Sequence, residues 1–228
     1  LGETLAQHLA QRPEDRDALY RIAVRDLAQA QRALDPLPRE SIVLERAFDE
    51  DLLRWEVEHF REWALEARGV AISARDHDVL ERAGLHLARI IASWPRGFVH
   101  RDYQSRNLMV LRGGDGELCL GWVDFQDAML GPRVYDMVAL LSDSYQSFTP
   151  DFVEERLDEF TRHLGLGAGD RAAIGREFRV VTVQRKLKDA GRFVFIDRKL
   201  GNPSFLGFVE PTVRKAQRAL DDLADDPE

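Results

Sequence analysis

Residues 98–127, FVHRDYQSRNLMVLRGGDGELCLGWVDFQD, interrupt a chain whose pattern is otherwise helical. FVH, NLMVL and LCLGWV are short apolar runs rich in bulky and β-branched residues, and RGGDGE between the last two is a turn signal, so they predict a β-hairpin. One hairpin in a helical chain excludes a sandwich or a barrel and points to a mainly α fold of the α+β class, a helical bundle carrying a small β element. The polar stretch HRDYQSRN, residues 100–107, lies where the chain should be entering a core, and DFQD follows the second strand. A hairpin returns the chain beside itself and brings these two polar segments to the same end.

Helical periodicity surrounds the hairpin. Leu19, Ile22, Ala23, Leu27, Ala30 and Leu34 recur at three- and four-residue steps over 14–34, where DPLP stops the pattern. A second helix is predicted over 50–67 through Leu53, Val57, Phe60 and Ala64, ending at Gly69, and a third begins near the cap signal SARD at Ser73 and runs to WPRG. Beyond Pro132 the spacing predicts helices over 133–146, 151–164, 170–190 and 210–224, while GLGAGD from Gly165 lacks the Lys-Ser/Thr of a phosphate loop and reads as a helix stop. Phe193, Phe195, Phe205 and Phe208 read as core or groove lining. No repeat or low-complexity linker divides the chain.

Composition limits the partners. With 32% charged residues and a net charge of −8, the chain has no general electrostatic basis for nucleic-acid binding, and with 44% hydrophobic residues and no long apolar run it predicts no membrane segment. The single cysteine, Cys119, lies in the apolar string LCLGWV and is expected to be a buried, reduced thiol, which suits the cytoplasm. LGETLAQHLAQ has neither the basic start nor the apolar stretch of a signal peptide, and DDLADDPE at the other end reads as a fraying, solvated helix end. His8, His59, His77, His86 and His163 show no spacing that would hold zinc.

The two polar segments contain the parts of a phosphoryl-transfer site. Such a site needs a carboxylate to orient the attacking hydroxyl and take its proton, and oxygen ligands to fix magnesium on nucleotide phosphates. Asp102 and Asn107 are five residues apart on one loop, and the hairpin brings Asp124 back to them. Oxygen ligands suit magnesium, which keeps several waters and needs few carboxylates. Taken singly, Asp and Asn are turn formers. Found together with His100 and Arg101 at these spacings, they read as a site. Arg106 could meet a phosphate or a carboxylate through a forked pair of hydrogen bonds, or neutralise a neighbouring acid. A metal-dependent hydrolase would require further carboxylate or histidine ligands.

HRDYQSRN has the His-Arg-Asp, four residues, Asn pattern of kinase catalytic loops, and VDFQD stands where the metal-binding Asp-Phe-Gly segment would be. With GPRVYDMVALL after it, the run 98–145 resembles the aminoglycoside phosphotransferase and choline kinase superfamily. HRDYQSRNLMV, DFQDAMLGPRVYDMVALL and VQRKLKDAGRF together look most like its bacterial anomeric kinases of N-acetylmuramate and N-acetylglucosamine. The resemblance implies Asp102 as catalytic base, Asn107 and Asp124 as magnesium ligands, and Asp136 as a carboxylate bracing the loop backbone. It places Arg101 and Asp127 on the substrate side, Asp127 being equally readable as a structural hydrogen bond, and Arg106 joins them as a candidate substrate contact. His100 reads as a structural residue held by a ring hydrogen bond. ATP and Mg2+ are the implied co-substrate and cofactor, with a small sugar as acceptor. Other acceptors of the superfamily, aminoglycosides or choline, and a kinase-like module without turnover remain alternatives.

Kinases of this type also need a β-rich nucleotide lobe with a lysine on a strand. The four lysines, Lys186, Lys188, Lys199 and Lys215, all follow the metal segment. Residues 1–228 are therefore expected to form the larger C-terminal lobe of a protein-kinase-like fold, the N-terminal nucleotide lobe being absent and the chain alone weakly active or inactive.

Overall fold

The computed structural model describes residues 2–114, 116–224 and 226. In chain order the elements are β1 (Glu3–Thr4), α1 (Leu5–Gln11), α2 (Arg16–Ala33), α3 (Glu50–His59), α4 (Ala74–Ser93), β2 (Arg96–Val99), β3 (Leu108–Arg112), β4 (Leu118–Trp122), β5 (Met129–Pro132), α5 (Tyr135–Leu141), α6 (Pro150–His163), α7 (Ala168–Leu200) and α8 (Val209–Asp221). The chain forms two compact units, Leu1–Ala47 with Pro95–Gly175 and Phe48–Trp94 with Arg176–Glu228. The acidic end expected to fray as a helix terminus lies partly outside the described residues.

The first unit holds both sheets. β3 and β4 form the expected hairpin, with Leu108 opposite Trp122 and Arg112 opposite Leu118. Two pairings go beyond the sequence reading: β1 adds to the free edge of β3, and β2 pairs with β5 through a register that sets Val99 against Met129. α2 packs on α6, β2 and β4. Its buried face is Leu19, Tyr20, Ala23, Val24, Leu27, Ala28 and Gln31. The buried stripe is thus centred about one residue beyond the predicted one, because Tyr20, Val24 and Ala28 face the core in place of Ile22, Ala30 and Leu34. After α6, Gly165 turns left-handed at φ 76°, and the Leu166 N–H bonds the Thr161 carbonyl at 3.1 Å, a C-terminal cap that accounts for the predicted helix stop. Cys119 is half-buried and not enclosed as expected, since β4 has a strand partner on one side only.

α1 begins with a capping box between Thr4 and Gln7. Its buried His8 sits between two carboxylates, with Nδ1 2.8 Å from Glu3 and Nε2 2.7 Å from Asp15. Burial opposes charge on this ring, but the bonds to Asp15 and Glu3 outweigh it and raise its pKa. Stabilisation from this arrangement is therefore complete below the ordinary histidine range near about 6.5 and is lost as pH rises through the raised value. Urea midpoints taken at about pH 6 and about pH 9 are expected to fall further in wild type than in His8→Gln. Parallel falls would show that the ring does not titrate with folding.

The second unit is helical. Asp49 caps α3, which widens into a π turn over Phe60–Leu65, tightens over Glu66–Arg68 and ends at left-handed Gly69. Ser73 caps α4, which packs on α3. In α7, Gly191 meets α3 so closely that a Cβ would lie 2.5 Å from the His59 carbonyl oxygen, so only glycine fits. Buried Gln184 donates to buried Glu56 at 2.8 Å, and Phe193 stacks on Phe205 with ring centres 5.8 Å apart. Among the described residues no helix is long and apolar enough to cross a membrane.

Candidate functional site

The loop 100–107 joins β2 to β3, and the loop carrying Asp124 joins β4 to β5. Since β2 pairs with β5 and β3 with β4, both loops leave the two sheets at the same end. The Asn107 side-chain nitrogen donates to the Asp102 carbonyl at 2.9 Å and to Asp124 Oδ2 at 3.2 Å, so one amide links the three residues and the two loops. The Val123 N–H closes the junction on the Asn107 carbonyl at 3.1 Å. Gln126 donates to the other Asp124 oxygen at 2.8 Å.

Two residues here adopt left-handed backbone, Arg101 at φ 79° and Asp124 at φ 69°. That conformation costs a non-glycine residue roughly 1–2 kcal/mol, so surrounding bonds must hold it. At Arg101 the holder is Asp136, in the first turn of α5, whose fully buried carboxylate accepts the His100 N–H at 2.7 Å and the Arg101 N–H at 2.9 Å. His100 is likewise fully buried, and burial lowers its pKa, keeping the ring neutral. The imidazole packs edge-on against Tyr103 and Trp122. The Tyr103 hydroxyl anchors the loop to α2 through the Ala23 carbonyl at 2.9 Å.

The middle of the loop is held by a residue the sequence reading missed. Asp143, buried just beyond α5, accepts the Ser105 N–H at 3.1 Å, the Ser105 hydroxyl at 2.5 Å and the Tyr145 N–H at 2.9 Å. The Ser105 carbonyl accepts the Ala6 N–H from α1 at 2.9 Å. Asp143 lies seven residues after Asp136 in the apolar stretch YDMVALLSDSY, two helical turns on, and that spacing was the available signal. Arg106 is exposed and its guanidinium lies 3.5 Å from the centre of the Tyr145 ring.

Asp127 stands on the same turn as Asp124, paired at 3.3 Å with Arg46, which also donates to the Gln126 carbonyl at 2.9 Å. Arg46 is fixed in turn by the Leu130 N–H bonding its carbonyl at 2.9 Å. No local sequence pattern marks it, because its partners lie eighty or more residues away in β5 and the turn before it. Geometry thus brings Asp102, Asn107 and Asp124 together, sets Asp136 and His100 beneath them, and leaves Arg106 and Asp127 at the margins. Among the described residues no three His, Cys, Asp or Glu side chains form a metal cluster. One carboxylate and one amide oxygen fit magnesium, which takes its other ligands from phosphate and water.

A loop carrying Asp and Asn, an acid after the adjoining hairpin and a helical surround are the arrangement expected of a kinase-like fold. Residues 1–174 match the APH phosphotransferase enzyme family, and the chain belongs to it. The N-acetylmuramate/N-acetylglucosamine kinase of Pseudomonas putida is 32% identical over 203 residues, 86% of this chain and 56% of that protein. The protein of the same name from Pseudomonas aeruginosa is 32% identical over 179 residues, covering 76% and 52%. That of Neisseria meningitidis serogroup B is 30% identical over 210 residues, covering 87% and 60%. The chain therefore spans between 52% and 60% of the length of these relatives. The structure of a Plasmodium vivax ethanolamine kinase superposes with a TM-score of 0.65 over 96% of this chain and 62% of its own, at 14% identity, a likeness of fold that agrees with the kinase-like expectation.

Proposed function

We propose that the gene product carrying this chain is an ATP-dependent kinase that phosphorylates a hydroxyl of an amino sugar of the N-acetylmuramate or N-acetylglucosamine kind. The observation that carries this reading is the Asn107 amide bridging the Asp102 backbone and the Asp124 carboxylate, which gathers the three groups the chemistry needs. The names of the relatives at about 30% identity support the sugar over other acceptors.

In this reading Asp102 orients the acceptor hydroxyl and takes its proton, at a carboxylate set directly after the strained Arg101. Asn107, with its nitrogen committed to Asp102 and Asp124, offers Oδ1 to the metal, and Asp124 offers its carboxylate. Magnesium, when bound, supplies charge neutralisation on the nucleotide phosphates. Asp136 and His100 keep the loop backbone in place, and Arg101, Arg106 and Asp127 lie on the acceptor side. Residues 1–228 are assigned to the acceptor- and metal-binding half, the nucleotide-covering strands and their lysine belonging to a separate lobe.

Incubating the intact gene product with γ-labelled ATP, magnesium and a panel of N-acetylmuramate, N-acetylglucosamine, choline and an aminoglycoside is expected to label a sugar, with the label lost in Asp124→Ala. Labelling of choline or the aminoglycoside with neither sugar labelled would overturn the reading.

A further inference from the structure

We infer that Arg106, steadied on the ring of Tyr145, recognises a carboxylate on the acceptor and so sets a preference for acidic over neutral sugars. The inference rests on the reading above in taking the acceptor to approach Asp102. Adjacent side chains diverge at this point of the loop. Asn107 turns in to the Asp102 carbonyl and Asp124, whereas Arg106 leans out onto Tyr145, in the segment following α5. A side chain directed there does not serve the phosphates held with Asn107 and Asp124.

Three features make Arg106 a built recogniser and not a solvated surface charge. Among the described residues no carboxylate pairs with it, although the chain carries 40 acidic residues against 32 lysines and arginines. Its guanidinium is gripped through its face by the aromatic ring, which leaves the N–H fork at its edge for a planar, two-oxygen acceptor. Both sides of the contact are fixed by one buried group: Asp143 holds the backbone N–H of Ser105, directly before Arg106, and that of Tyr145 itself. A long side chain pre-ordered in this way loses less freedom when it binds, and a carboxylate is the partner its geometry matches. Tyr145 is then a positioning residue, acting through Arg106.

N-acetylmuramate and N-acetylglucosamine differ by a carboxylate-bearing ether, so the change in their relative affinities between wild type and variant reads this contact. Calorimetric titration of both sugars, without nucleotide, into the intact gene product and into Arg106→Gln, Tyr145→Leu and Tyr145→Phe provides the test. Affinity for the acidic sugar should fall about tenfold more than for the neutral one in Arg106→Gln. Tyr145→Leu should shrink the same ratio several-fold, about what a cation–π contact contributes. Tyr145→Phe keeps the ring face and should keep the ratio. Equal losses for the two sugars in Arg106→Gln, or no binding of the acidic sugar by wild type, would overturn the inference. Because no phosphate transfer is measured, an acid preference that depends on Arg106 in a protein without kinase activity would sink the kinase reading and leave this one standing.

Discussion

Replacing Asp102 by Asn in the intact gene product is expected to lower turnover about 10²- to 10⁴-fold while the acceptor KM moves only a few-fold. The substitution keeps size and shape and removes basicity, so what disappears is proton acceptance in the transition state and not substrate binding. Architecture should survive, because the substitution keeps the two bonds to the residue 102 carbonyl, from the Asn107 amide and the Gln104 N–H, both at 2.9 Å. Initial rates against acceptor concentration, with the urea midpoint as a control on folding, separate these effects. A kcat equal to wild type would remove Asp102 from the chemistry.

Asp136→Ala is expected to act on stability before it acts on rate. The carboxylate is fully buried and receives two backbone N–H groups at 2.7 and 2.9 Å. Hydrogen bonds to a charged group contribute roughly 1.5–3 kcal/mol each, and losing the acceptor strands both donors, so a loss of roughly 3–6 kcal/mol is predicted. That is a large part of the 5–15 kcal/mol typical of a domain. Without this acceptor the left-handed backbone at Arg101 loses the two bonds that Asp136 supplies to it and to His100. Asp136→Asn, which keeps one acceptor oxygen, should lose about half as much. Chemical denaturation of the three proteins measures the difference, and an Ala variant as stable as wild type would show that water replaces the carboxylate.

How much of this was legible in the sequence follows the range of the interactions. Features closed within a few residues were readable: the Ser73 cap, the Gly69 and Gly165 stops and the β3–β4 hairpin each depend on neighbours in the chain. Features that depend on distant partners were not. MLGP carries little strand signal of its own, and it becomes β5 because the RGFV strand lies beside it. Glu3 and Thr4 become a strand only because the edge of β3 is open to them. α5 ends at Leu141, well short of the predicted 146, because the Asp143 carboxylate takes the Tyr145 N–H and the Ser105 hydroxyl and turns the backbone out of the helix. The convergence of Asp102, Asn107 and Asp124 was foreseeable from spacing and a hairpin. The identity of what supports them was half foreseeable, with Asp136 named and Asp143 and Arg46 missed.

The spacing of Asp136 and Asp143 has a consequence for how this site can change. Both clasp the loop from a single seven-residue helix and its exit, one near each end, so the loop has little independent motion and travels with that helix. Apolar substitutions on α5 that never touch a ligand should then be felt as kinetic defects. For an engineer the smallest transplantable part is residues 100–107 together with 135–145; the octapeptide by itself would carry the letters of the chemistry without their arrangement.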